Sequence, residues 1–205
     1  MRSGISQLGR PRKASREQII ERATNLFWQR GYHATSIADL KAATGVNLGS
    51  LYSEFSSKRD LYEAALSYYR KRVVLKRQAV VETSSNALEG IERFFEILIT
   101  HALEEPDRHG CLNTNTCVEL GTNDPAFRDL AKKSLLNWRK FWARTVKRGQ
   151  QSGHICSKLD PDEMACMIIT LVQGINVIGK AVKDRRFLEA PVKSSLRILR
   201  KKPGV

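Results

Sequence analysis

Apolar positions along the chain recur at intervals of three and four, and from Asn86 onward no segment alternates convincingly in twos. That periodicity predicts an all-α fold. Ser15 and Gln18 make a capping-box pair, Ile19, Ile20, Ala23, Leu26 and Phe27 follow at helical spacing, and Gly31 closes the segment. Between residues 31 and 62 the pattern shortens. Asp39, Leu40 and Ala43 fall on one short stretch that Thr35 or Ser36 can cap, Gly45 and Val46 interrupt it, and Asn47 opens a second carrying Leu48, Gly49, Ser50, Leu51 and Tyr52. Two short helices joined through a glycine make a helix-turn-helix, in which Gly45 supplies the positive-φ residue and Val46 pins the turn to the core. Ser57 and Asp60 start another helix, expected to run from about Lys58 into the early 80s.

Beyond it, Ile91, Phe94, Phe95, Leu98 and Ile99 form a stripe before Pro106, and a short helix follows near Leu112 to Leu120. Asp124 and Pro125 begin a longer one striped by Phe127, Leu130, Ala131, Leu135, Trp138, Phe141, Trp142 and Val146. After Asp160-Pro161, residues Met164, Ile168, Leu171, Ile175, Ile178 and Val182 keep helical spacing, while Ala165, Val172 and Val177 widen the apolar surface. Leu188, Val192, Leu196 and Leu199 stripe a last helix. Two such helices from each of two chains can form an intersubunit four-helix bundle, with Ile168, Leu171, Ile175, Ile178, Leu196 and Leu199 as the candidate dimer interface; the alternative is ordinary core. The expected organisation is a basic arm (1–14), a helix-turn-helix module (15–57) and a helical ligand-binding and dimerisation body (58–205).

Charge narrows the partner. The chain has 35 Lys and Arg against 21 acids, a formal charge of +14. That excess points to a polyanion, double-stranded DNA in view of the helix-turn-helix. Much of it lies outside the module, where a solvated helix face accounts for it equally well. The arm can follow phosphates or enter a minor groove, or be a solubilising tail. Neither a membrane-spanning apolar run nor an N-terminal leader pattern is evident, so the expected location is the cytoplasm. Cys111, Cys117, Cys156 and Cys166 make no C-x-x-C pair and no zinc spacing, and neither a metal nor a cofactor is expected.

The series Gly31-Tyr32, Thr35-Ser36-Ile37, Asp39-Leu40, Gly45-Val46, Gly49-Ser50-Leu51-Tyr52, Phe55 and Ser57-Lys58 resembles the TetR/AcrR family of bacterial transcriptional regulators over the first third of the chain. Gly110-Cys111-Leu112 looks like one subgroup of the family's more variable bodies. Lys41 departs from the pattern, standing where relatives place a small or apolar residue on the inner side of the first motif helix. The resemblance implies a homodimer on a palindromic operator, released by a small effector. Leu48, Gly49, Ser50 and Tyr52 would face the major groove, with Thr35, Ser36, Asn47 and Lys58 near phosphates. Phe94, Leu98, Trp138, Phe141 and Trp142 are candidates to line an apolar effector pocket. Cys111 is a candidate sensor. It follows Arg108, His109 and Gly110 at a helix start, a setting that favours a thiolate, and Lys180 would be its charge partner if the fold joins them. The alternative is an inert buried thiol.

Two other functions compete. An enzyme lacks support from any nucleophile elbow, phosphate-binding glycine loop or zinc-protease pattern. An architectural, nonspecific DNA binder would use the net charge alone.

Overall fold

A computed structural model describes residues 14–104 and 109–200. The arm expected over 1–14 lies, apart from Ala14, outside the described residues, as does Arg108. Among the described residues the chain is helical, with one isolated antiparallel bridge between Ile155 and Arg200.

Helix α1 (Arg16–Arg30) starts with the reciprocal Ser15–Gln18 capping box and stops at Gly31, whose φ of 83° suits a residue without a side chain. Helix α2 (Ile37–Thr44) is capped by Ser36, not Thr35, with Asp39 completing the box. Gly45 (φ 72°) ends it in the left-handed conformation, and Val46 is buried. Asn47 caps α3 (Leu48–Glu54) and Ser57 caps α4 (Lys58–Tyr69). The long connecting helix is present with an interruption: α4 passes through a π-helical turn (Arg70–Val74) into α5 (Leu75–Glu82). Then come α6 (Ala87–Glu104), α7 (Leu112–Leu120), α8 (Pro125–Gln151), α9 (Pro161–Ala181) and α10 (Arg185–Leu199).

Two apolar clusters hold the chain together. The first joins Ile19, Ala23 and Phe27 of α1 to Leu40, Val46, Leu51 and Phe55, and to Leu61, Tyr62, Ala65 and Tyr69 of α4. It also takes in Leu112, Leu120 and Phe127 from α7 and α8, so packing continues without a seam across the expected boundary at residue 57. The second is the body's core: Ile91, Phe94, Phe95 and Leu98 of α6 meet Phe141, Trp142 and Val146 of α8, Ala165, Ile168 and Ile175 of α9, and Leu188 and Leu199 of α10.

Three expectations change here. Ile168, Ile175 and Leu199 are buried inside the subunit at 0%, 3% and 0% exposure, so they are core rather than dimer interface. Leu171 and Leu196 pack partly against the same core, and of the six only Ile178 is exposed. The free apolar face of α9 is turned about one residue away, through Thr170, Gly174, Val177, Ile178 and Ala181, and α10 adds Phe187, Ala190 and Ile198. A helix apolar on two faces gives a periodicity that does not say which face is internal. Second, Lys41 is exposed rather than inward, because Leu40 and Thr44 supply the buried contacts of α2. Third, α9 is long and apolar enough, by length and composition, to cross a membrane, contrary to the expectation that no run would be. Its Ala165, Ile168, Val172 and Ile175 face the body's core.

Candidate nucleic-acid interface and sensor region

Short capped helices present the candidate DNA face. Ser36 Oγ accepts from the Asp39 amide, and Asn47 Oδ1 from the Ser50 amide at 2.8 Å. Ser36, Asn47 and Gly49 are exposed, Ser50 is half-buried, and Leu48 and Tyr52 are exposed by 44% and 51%. Large side chains this open at the start and middle of one short helix are unusual for a packed element and leave its face free for a groove. Thr35 is different. It is fully buried and its hydroxyl donates to the Gly31 carbonyl at 2.7 Å, so it is neither the cap of α2 nor available to a phosphate. Two adjacent hydroxyl residues look alike as caps in sequence; the turn leaving Gly31 points one inward.

Lys58 is half-buried with its ammonium 4.4 Å from the centre of the Tyr32 ring. Burial pushes its pKa down, opposed by the charges of Glu119 and Asp39. Asp39 in turn is held below the usual carboxylate range by hydrogen bonds from Ser36, with Arg30 adding to the effect.

From the body, α7 and the residues flanking it reach the module and the neighbouring α4 at several points. Glu119 accepts from the amides of Tyr32 at 2.9 Å and His33 at 2.6 Å. Tyr62 and Thr116 share a buried hydroxyl pair at 2.8 Å, and just beyond α7 Arg59 donates to Asp124 at 2.9 Å. The Trp28 indole donates to the Gly110 carbonyl at 3.1 Å. None of these pairings had a signal in the sequence: each partner lies more than 50 residues away from the residue it meets.

Cys111 is the half-buried N-cap residue of α7 and packs against the first core cluster. The Lys180 stem crosses Gly110, where an added Cβ would lie 2.7 Å from the lysine Cε, and its ammonium donates to Asn115 Oδ1 at 2.6 Å. Burial lowers the Lys180 pKa, and Lys180 lies against the residue that precedes Cys111. Tyr69, at the mouth of the π-helical turn, is fully buried against Trp28, and its hydroxyl has no hydrogen-bond partner among the described residues. It lies close to Cys111 and the Leu112 amide, and burial, with Cys111 adding to the effect, pushes its phenol well above the ordinary value. A π-helical turn and an unpaired buried hydroxyl meeting at one cysteine are features found at functional sites.

The expected pocket residues also come together. Phe94 lies 4.9 Å from Trp142 edge-on, Trp138 stacks on Trp142 at 5.7 Å, and Phe141 closes the group at 4.9 Å, with Leu98 in the same core. Trp138 is half-buried and the other four are buried in the body's core. The Trp142 indole N–H has no partner among the described residues.

A compact helix-turn-helix carried by an all-helical body defines a DNA-binding regulator. Residues 19–65 match the sequence profile of the bacterial regulatory proteins of the tetR family, and residues 87–194 that of the tetracyclin repressor-like C-terminal domain. The chain belongs to the TetR family. It is similar to the HTH-type transcriptional repressor ComR of Escherichia coli (strain K12), at 28% identity across 84% of this chain and 82% of that protein. The repressor DhaR of Mycobacterium sp. (strain GP1) is 27% identical across 85% and 86%. Among solved structures, a cysteine-substituted mutant of the TetR family regulator CifR, complexed with 26-bp double-strand operator DNA, superposes with a TM-score of 0.83 at 27% identity, covering 93% of this chain and all of that one.

Proposed function

We propose that this DNA-binding repressor acts in the cytoplasm as a homodimer on a palindromic operator, and that reaction of Cys111 releases it. The observation that carries the release mechanism is the placement of Cys111: it starts the helix whose other end holds the helix-turn-helix, with Lys180 and the unpaired Tyr69 hydroxyl beside it. CifR, a relative of the same fold and similar length, was captured on operator DNA, which supports the mode of binding. Leu48, Gly49, Ser50 and Tyr52 enter the groove, while Ser36, Asn47 and Lys58 face phosphates. A largely apolar effector with one hydrogen-bond acceptor, lodging among Phe94, Trp138 and Trp142, is the second reading, favoured by the unpartnered Trp142 N–H.

Tyr52→Ala and Lys58→Ala are expected to weaken binding to cognate and unrelated duplexes alike in an anisotropy titration over a salt series. Lys58→Ala is also expected to flatten the slope of log K against log salt by about one. Unchanged affinity and slope in both would contradict this docking.

The sensor is tested in a chain whose Cys117, Cys156 and Cys166 are replaced by serine. Iodoacetamide is expected to label Cys111 faster than a model thiol at neutral pH, and labelling to lower operator affinity about tenfold or more, a coupling of ordinary allosteric size. Labelling at the model-thiol rate, or full labelling with affinity unchanged, would reject Cys111 as the sensor and leave the aromatic cluster.

A further inference from the structure

We propose that Glu119 is a positioning residue for DNA recognition: from the body it clamps the α1–α2 turn, and so sets the half-site spacing that the dimer accepts. The inference rests on the dimeric-repressor reading given above.

The clamp is built from groups with few alternatives. Helix α1 has ended at Gly31 and α2 has not begun, so the Tyr32 and His33 amides have no helical acceptor of their own. Both oxygens of Glu119 take them, at 2.9 and 2.6 Å, and hydrogen bonds to a carboxylate are about twice as strong as neutral ones. Gly31 makes room: a Cβ there would lie 2.7 Å from Glu119 Oε2. The bonded turn runs directly into Ser36 and α2, whereas the neighbouring pairs Tyr62–Thr116 and Arg59–Asp124 hold only α4. Glu119 is therefore the α7 side chain hydrogen-bonded to the turn that leads into the helix-turn-helix. It lies eight residues from Cys111, on the order of 12 Å along a helix, so a shift at the thiol end of α7 is carried to the clamp by one rigid element.

In a dimer joined through α9 and α10, the distance between the two recognition helices depends on how firmly each module is held to its body. One base pair more or less between half-sites moves them by about 3.4 Å and about 34°. A firmly held pair rejects such a change, and a loosely held pair adapts.

The test uses a duplex operator selected from a random library by the full-length wild-type protein, with versions carrying one base pair inserted or deleted at the dyad. Wild type is expected to prefer the selected spacing by about tenfold or more, comparable to one mismatched base pair. Glu119→Gln and Glu119→Asp are expected to bind the selected operator several-fold more weakly and to lose most of the preference, to about threefold or less. The aspartate variant keeps the charge but shortens the reach, and it carries the test if the glutamine variant fails to fold in a thermal melt. Retained tenfold preference in the folded variants would overturn the proposal. So would tighter binding of Glu119→Gln to every duplex, the result expected if the carboxylate merely repelled phosphates. A wild-type protein indifferent to spacing would instead overturn the dimeric reading, and the clamp with it, a result distinct from retained preference in the variants.

Discussion

A Val177→Asp, Ile198→Asp double variant is expected to sediment as a monomer at micromolar concentration and to bind operator DNA roughly a hundredfold or more weaker than wild type, the size of the avidity lost when two sites are unlinked. Val177, Ile178, Phe187 and Ile198 are exposed by 49%, 39%, 55% and 51%, and among the described residues nothing beyond the local helix backbone lies within 4 Å of where a Gly174 Cβ would stand. They leave an apolar surface on two neighbouring helices, flat enough at Gly174 for another helix to approach closely. Covering a side chain of this kind is worth about 1.5–3 kcal/mol, and a two-fold interface counts each residue twice. A carboxylate placed there meets its symmetry mate or apolar surface, and either costs several kcal/mol on the order of a buried unpaired charge. Because both positions are open in the single chain, its fold should survive, with helical circular dichroism unchanged. A variant that stays dimeric, or one that becomes monomeric yet holds the operator within about threefold of wild type, would contradict the dimeric account.

How much could be read in advance depended on the range of the forces involved. The helix-turn-helix was legible because its determinants are local: Ser15, Ser36, Asn47 and Ser57 each accept an amide three residues on, and Gly31 and Gly45 permit positive φ. The same locality limited it. Thr35 and Ser36 are equivalent caps until the turn buries one of them, and periodicity marked α9 as apolar without telling its core face from its free face. Lys41 was misplaced because a family pattern, rather than its own surroundings, was used to orient it. The approach of Lys180 to Gly110 and Asn115, on either side of Cys111, was conceivable in sequence but needed the packing of α7 on α9 to become geometry. Glu119 was not legible at all. It is one acid on a short polar helix, and its partners are two backbone amides 86 and 87 residues away, which carry no side-chain signature.

The packing also changes what the domain boundary means. Leu112, Leu120 and Phe127 belong to the same apolar cluster as Phe27 and Tyr62, so the body's α7 and the start of α8 are part of the support of the helix-turn-helix. Cys111 contacts this cluster from its edge. On the proposed release mechanism, a chemical change at Cys111 is expected to reach the footing of the DNA-binding module through α7, nine residues long.

The largest effect expected is sequence discrimination itself. None of Leu48, Gly49, Ser50 and Tyr52 is a bidentate base reader, so specificity has to be assembled from apolar contact, hydroxyl contacts, bound water and DNA shape across two half-sites. A net charge of +14 would by contrast support tight, salt-sensitive binding to any duplex. The decisive measurement is a fluorescence-anisotropy titration at moderate salt, comparing a duplex selected from a random library with a scrambled duplex of equal length and composition. A sequence-specific dimeric repressor is expected to prefer the selected duplex by roughly a thousandfold or more. Equal affinity for both, with a steep salt dependence, would contradict specific recognition and leave a nonspecific binder held by charge alone.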